Sequence, residues 1–175
     1  MACLDADEER ETTYKIERFL YREAAALDDL QYDEWLSMLD AEFYYSVPIP
    51  VIREDPYLPR YDEKGVLFEA NRRLMALKMS RLKHEYAWSD RPPGFTRRLV
   101  TNVRVESTDS PDRLAVSSHI LVSRSTRSTN STITANRKDE IRVIPDPLKP
   151  RFLLLRRDVY IDVAVATHQQ LNVIF

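Results

Sequence analysis

The stretch Arg98-Leu99-Val100-Thr101-Asn102-Val103-Arg104-Val105, followed after a polar break by Leu114-Ala115-Val116-Ser117-Ser118-His119-Ile120-Leu121-Val122, decides the fold. In the first run Leu99, Thr101, Val103 and Val105 alternate with Arg98, Val100, Asn102 and Arg104. In the second, Leu114, Val116, Ser118, Ile120 and Val122 share one side. A period of two is the mark of a half-buried strand. Residues 107–112 between the runs read as a hairpin turn. Residues 141–144, 152–161 and 171–175 supply three further strands. Residues 125–136 read as a looser polar connection, and the segment between Pro145 and Pro150 as a rigid turn.

Ahead of this region the period is that of a helix. Ile16, Phe19, Leu20, Leu27 and Leu30 fall near one face, and Glu17, Arg18, Arg22 and Glu23 mostly on the other. Asp28-Asp29 weakens that helix, and Asp33 is a suitable N-cap for a short second one carrying Trp35, Leu36 and Leu39 inward. Phe43, Tyr45, Val47 and Ile49 then alternate with Glu42, Tyr44, Ser46 and Pro48, a strand ending at Pro48 and Pro50. Residues 53–65 read as a long loop, and residues 67–86 as a helix with a broad apolar stripe. Asp90-Arg91-Pro92-Pro93-Gly94 is the break at which the period changes. Helices followed by a run of strands argue for an α+β domain, with the sheet curled around helices on one face and residues 1–175 forming a single unit.

Composition removes whole classes of function. The chain has one cysteine and two glycines, Gly65 and Gly94. No phosphate-cradling loop, dinucleotide fingerprint or nucleophile elbow can be built from them. A Rieske cluster needs two Cys and two His ligands, and Cys3 stands alone. His84, His119 and His168 are far apart in sequence, with no metal-ligand spacing. No metal or cofactor is therefore expected in this chain. No apolar run approaches the ~20 residues of a membrane span, and the acidic N-terminus is no secretory signal, so a cytoplasmic protein is expected. Residues 1–70 hold 18 acidic and 7 basic residues, a balance of −11, against 10 and 19, or +9, in residues 71–175. The arginines of the basic part are spread along strands without a nucleic-acid motif, which argues for a protein partner or for pairing within the fold and not for nucleic acid.

Two sets of residues are candidates for a role. Asp40, Tyr44, His84 and His119 would form an acid–base set if they converged on one pocket; otherwise His84 is a surface helix residue and His119 pairs within the sheet. Arg97-Arg98 and Arg156-Arg157 lie on strands, where neighbours point to opposite faces, so one of each pair faces inward or into an interface. A buried arginine needs an acceptor, and Glu140, Asp158 and Asp162 are at hand. Trp35 and Trp88 suit the core, although tryptophan and arginine also anchor interfaces.

Several ordered blocks resemble one family. They are Phe19-Leu20-Tyr21-Arg22-Glu23-Ala24, Leu27-Asp28 and Tyr32-Asp33-Glu34-Trp35-Leu36; then Ala87-Trp88, Asp90-Arg91-Pro92-Pro93 and the block from Thr96 to Val103. The blocks from Arg137 to Arg142 and from Arg156 to Asp162, and the ending Leu171-Asn172-Val173-Ile174-Phe175, complete the set. Together they resemble the small (β) subunits of Rieske-type aromatic-ring-hydroxylating dioxygenases. Two departures are Ala135-Asn136 where relatives often carry glycine, and Phe152 in place of a usual Trp. The resemblance implies a nuclear-transport-factor-2-like (cystatin-like) cone, a strongly curved and mostly antiparallel sheet around helices. It implies a non-catalytic structural subunit that braces a large (α) subunit, commonly as an α3β3 hexamer. That α subunit would carry the Rieske cluster and the mononuclear iron, and the ferredoxin and reductase would act through it in NAD(P)H-dependent dihydroxylation of an aromatic compound. Trp88, Arg97, Arg98, Asn102, Arg156 and Arg157 are the residues expected in structural or interface roles. The alternative is a stand-alone dehydratase or isomerase using the acid–base set above, and a third reading is a ligand-binding cone without chemistry.

Overall fold

A computed structural model describes residues 6–55, 57–83, 94–127, 129–146, 151–163 and 173–175. The elements run α1 (Ala6–Asp28), α2 (Tyr32–Ser37), β1 (Leu39–Pro50), β2 (Tyr61–Asn71), α3 (Arg72–Lys83), β3 (Phe95–Ser107), β4 (Arg113–Ser125), β5 (Asn130–Ile144) and β6 (Arg151–Ile161). They build one six-stranded sheet in the order β2-β1-β6-β5-β4-β3. All neighbours are antiparallel except β1 and β6, which are parallel.

The sheet curls around α1. Glu23 on that helix meets Arg157 on β6, and Asp28 meets Arg98 on β3. Five residues of helix rise only about 7.5 Å, whereas β6 and β3 stand three strand spacings, about 14 Å, apart in a flat sheet. Both contacts form because the sheet bends toward the helix. The enclosed side holds Ile16, Leu20, Trp35, Phe43, Tyr45, Met75, Met79, Ile120, Ile141, Val159 and Phe175, each at most 2% exposed. This is the α+β curled-sheet architecture that the helix-then-strand order implied.

Local readings needed correction in several places. Residues 61–71 are the edge strand β2, so the loop is shorter than 53–65 and the helix does not start at Leu67. The spacing of Leu67, Ala70, Leu74 and Leu77 fits a helix, but Phe68, Glu69, Ala70 and Asn71 instead pair with β1. Asn71 then caps α3, its Oδ1 accepting the Leu74 backbone N–H at 3.0 Å. Asp33 is not a cap. It lies inside the first turn of α2, and the capping position is Gln31, which makes no side-chain bond. β5 begins at Asn130, so the connection is the short turn Thr126–Thr129, closed by their hydroxyls at 2.9 Å. Asn136 lies in mid-strand between His119 and Tyr160 with no left-handed backbone, so glycine is not required there. Val173, Ile174 and Phe175 belong to no strand, although Ile174 and Phe175 are buried. Trp88, His84, His168 and the Pro92-Pro93 break lie outside the described residues.

The alternation read in β3 is split by a bulge. Thr101 faces His119 and Arg104 faces Ser117, so β3 carries one extra residue, and Asn102 takes it up with φ 53°. Arg98 and Val100 therefore share the inner face with Val103 and Val105, while Leu99 stands 57% exposed. Asn suits this place because a short polar side chain tolerates the left-handed region, and its Nδ2 lies 2.9 Å from His119 Nδ1. At the start of the strand Gly94 is needed for space: a Cβ there would stand 2.4 Å from the Ser125 carbonyl oxygen. Replacing Asn102 with Val is expected to cost about 1–3 kcal/mol through the positive φ, and Asn102→Gly a few tenths; urea denaturation of the two variants measures the difference.

Candidate functional site

The register of β5 and β6 sets Asp139 directly opposite Arg157, with both side chains on the enclosed face. Arg157 Nε donates to Asp139 Oδ1 and Nη2 to Asp139 Oδ2, each at 2.8 Å. Nη1 and Nη2 also grip the two carboxylate oxygens of Glu23. Nη1 further donates to the Phe175 carbonyl oxygen at 2.9 Å. All five N–H groups of this guanidinium are thereby used. Glu23 accepts a third bond from Trp35 Nε1 at 3.1 Å, and Arg137 Nη1 stands 3.5 Å from its Oε2. Arg137 Nε donates to Ser118 Oγ at 3.1 Å, and its Nη2 is left without a hydrogen-bond partner. Two carboxylates and two guanidiniums, nearly free of solvent, thus join α1, α2, β4, β5, β6 and the end of the sequence.

Electrostatics follow from this packing. Burial pushes the Glu23 carboxyl up, but the charges of Arg157 and Arg137 and the hydrogen bonds from Arg157 and Trp35 outweigh it and hold it below its ordinary value. Burial opposes the charge of Arg157 too, and the two carboxylates hold it well above the usual value. Arg137, buried and beside Arg157, is brought down to about 10. Burial drives the Tyr45 phenol up to about 12, against its bond to the Phe175 backbone and the nearby arginines.

The remaining candidate residues divide by face. Arg98 is 6% exposed at its side chain and pairs with Asp28 at 2.6 Å, while its Nε and Nη2 bind the Ile174 carbonyl at 2.9 and 2.8 Å. Arg97 points the other way, 73% exposed and 4.0 Å from Asp28. Arg156 is on the outer face, where it pairs with Asp158 at 2.8 Å and lies over the Tyr44 ring at 5.2 Å. Asn102 sits in the exposed bulge. The structure brings Arg157 and Arg98 to the end of the sequence and leaves Arg97, Asn102 and Arg156 on the surface. Glu140, considered as a partner for the arginine pairs, binds Arg113 instead. Glu23, Arg137, Asp139 and Asp28, which complete the buried pairs, were missed. Helical spacing puts Glu23 mostly on the face away from the apolar stripe of α1, yet it is 1% exposed. The cue for it was Trp35 twelve residues on, a buried indole that needs an acceptor.

The described members of the acid–base set, Asp40, Tyr44 and His119, do not converge. Asp40 is held by Arg142 at 2.8 Å, Tyr44 Oη donates to Glu69 at 2.6 Å, and His119 is bonded to Asn102. Tyr44 on β1 and His119 on β4 are separated by β6 and β5, about 14 Å of sheet, beyond any hydrogen bond. Among the described residues no group of three or more His, Cys, Asp or Glu is placed to hold a metal ion, and no helix is long and apolar enough to cross a membrane.

Among the described residues, two hollows have exposed apolar side chains beside them, and Leu74 and Leu77 on α3 are exposed elsewhere. A groove of about 420 Å³ between α1 and β3 is lined by Tyr21, Ala24, Ala25, Arg97, Leu99 and Val100; Phe95, 86% exposed, is on the same strand. A second hollow, of about 360 Å³, lies under the loop after β1, where Ile52, Tyr57 and Leu58 are exposed. That loop is tied by Val51 N–H to the Arg60 carbonyl at 2.7 Å and by Arg53 Nε to the Pro59 carbonyl at 3.0 Å. Exposed apolar groups collected in this way mark surfaces that other molecules cover.

The sequence model of a family described as the ring hydroxylating beta subunit matches residues 22–168. Among solved structures the chain is similar to a naphthalene 1,2-dioxygenase with indole bound in its active site, with 21% identity and a TM-score of 0.79 over 99% of this chain and 88% of that one. It is also similar to the beta subunit of the benzoate 1,2-dioxygenase of Burkholderia mallei, with 22% identity and a TM-score of 0.67 over 93% of each chain. A protein of Novosphingobium aromaticivorans assigned as a scytalone dehydratase matches at 13% identity and a TM-score of 0.60, over 91% of this chain and 89% of that one. The shared fold is the nuclear-transport-factor-2-like cone.

Removing one partner of the buried network is expected to be severe. Glu23→Gln should lose about 3–5 kcal/mol at neutral pH because Arg157 keeps its charge with less to balance it. Since Glu23 titrates below its unfolded value, its contribution is present above about pH 4.3 and lost as pH falls through the folded value. Guanidinium titrations should therefore show wild type and variant converging in acid. Tyr45 contributes below about pH 10 and loses that contribution as pH rises toward its folded value of about 12; Tyr45→Phe should lack this alkaline loss.

Proposed function

The chain belongs to the ring hydroxylating beta subunit family, and on that premise we propose that it is the structural small subunit of an aromatic-ring dioxygenase, bracing a large subunit that performs the chemistry. The observation that carries this reading is how the cone is filled. Trp35, Phe43, Tyr45 and Phe175 pack its interior, and Arg157, Glu23 and Asp139 are spent on one another. An acid or base that works on a substrate needs an open approach and a proton to exchange. The buried Glu23, Asp139, Arg137 and Arg157 have no such approach.

A Rieske cluster and a mononuclear iron are implied by the family; this chain's cysteine count does not fit the cluster, and among the described residues no ligand set is placed for the iron. The cluster's ligands include two cysteines and the sequence has one, and His119 is committed to Asn102. The metals would reside in the large subunit, which would receive electrons that a reductase and ferredoxin draw from NAD(P)H. No step of that chemistry passes through a residue described above. The substrate would be an aromatic compound bound by the large subunit, and the assembly a cytoplasmic α3β3 hexamer.

This chain's contribution is surface. The groove between α1 and β3 offers Tyr21 and Leu99 as apolar contacts and Arg97 as an exposed guanidinium in a loose ion pair with Asp28 at 4.0 Å. The loop at residues 51–60 adds Ile52, Tyr57 and Leu58. Arg98 and Arg157 work behind these surfaces, fixing the strands that present them.

Co-expression with the large subunit encoded nearby tests the reading. The two chains are expected to co-elute at the mass of a hexamer, and a small chain that elutes alone as a monomer contradicts it. Within that complex, the double change Arg97→Glu with Leu99→Asp should weaken association by about tenfold or more while leaving the fold of the isolated chain unchanged by circular dichroism.

A further inference from the structure

The last residues of the sequence are held in an unusual way for a core segment. Ile174 and Phe175 are 4% and 2% exposed, yet they belong to no helix or strand. Their backbone groups are bound by side chains. The Ile174 carbonyl takes two N–H donors from Arg98, and the Phe175 carbonyl takes one from Arg157. The Phe175 N–H donates to Tyr45 Oη at 3.3 Å. Each arginine is braced from behind, Arg98 by Asp28 and Arg157 by Glu23 and Asp139. A strand is held by ladder bonds to its neighbours; this segment is gripped by guanidinium and phenol groups, the way a binding site grips a ligand.

We propose that the interior of the curled sheet is a binding site for a single aromatic ring, and that the chain's own Phe175 occupies it. The ring sits in the same buried cluster as Ile16, Leu20, Phe43, Tyr45, Met75 and Met79. Those residues come from α1, β1 and α3, and Tyr45 among them is also tied to the segment through its hydroxyl. With the ring gone, they enclose a neutral apolar space of about its size, because close-packed cores relax only in part around a deleted side chain. The chemical class that fits is a neutral, benzene-sized aromatic, since the surrounding charges are already matched in pairs. The Ile174–Phe175 segment is then a built-in plug, and its two arginine clamps set how firmly the site stays closed. This inference does not depend on the subunit assignment, because it concerns only contacts within the chain.

The test uses the full chain with benzene as the probe. In wild type the melting temperature is expected to be unmoved by millimolar benzene. Phe175→Ala should melt about 10 °C lower and recover several degrees when benzene is added, as binding to the folded state alone requires. A Phe175→Ala protein that folds but gives no response to benzene overturns the proposal, and so does a wild type that responds equally. Should that variant fail to fold, Arg98→Lys keeps a cation beside Asp28 and removes the two-donor grip on the Ile174 carbonyl. Hydrogen exchange at the Phe175 amide is then expected to speed up about tenfold or more and a benzene response to appear; exchange at the wild-type rate overturns the proposal. Co-elution with the large subunit, measured on the same variants, reports separately on the subunit reading.

Discussion

The bidentate grip of Arg157 on Glu23 and Asp139 is the interaction on which the rest of the structure depends. Three ions beneath a layer of apolar side chains are tolerable only when each is fully bonded, since each would otherwise retain several kcal/mol of desolvation penalty. That requirement fixes positions sharply. Glu23 must lie over β6, so the rotation of α1 about its axis is set. Trp35 must bring its indole N–H to the same carboxylate, so α2 is set. Asp139 must stand opposite Arg157, so a register slip of one residue between β5 and β6 would bury an unpaired charge. An apolar contact tolerates small rotations, and this arrangement does not.

Curvature is the second consequence. A helix that must reach β6 with Glu23 and β3 with Asp28 draws both strands toward itself. The β3 bulge at Asn102 helps by adding local twist at the edge. It also resets which side chains face outward, leaving Leu99 and Arg97 on the surface beside α1. The packing inside the cone and the groove outside it therefore share one cause.

This division bears on how a small subunit serves a larger one. Interface residues on a rigid frame lose little conformational entropy on assembly. The filled interior supplies that rigidity. A cone of the same fold that is emptied can host a ligand, and here the space goes to Phe175, Trp35 and paired ions. The trade in such a fold is between an open cavity and a firm frame, and the interior described here is packed.

Much of the architecture was legible in the sequence because periodicity is a local property. The alternation of Leu114, Val116, Ser118, Ile120 and Val122 settled β4, and the 3.6 period around Ile16 and Leu20 settled α1, with no tertiary information. The shortage of cysteine and glycine likewise bounded the chemistry by composition alone. The acid–base set could be proposed from residue types, but only the strand order could separate Tyr44 from His119. Residues 61–65 were read as loop and 67–71 by a helical spacing that pairing with β1 overrode, because strand formation depends on a partner elsewhere in the chain. Glu23 looked like a solvent-facing charge, and only the fold brought Arg157 to it from 134 positions away. The sequence by itself determined the period of α1, β1, β3, β4 and β6, and its composition bounded the ligands it offers. Tertiary structure alone decided which charges are buried, because burial depends on partners that sequence spacing does not reveal.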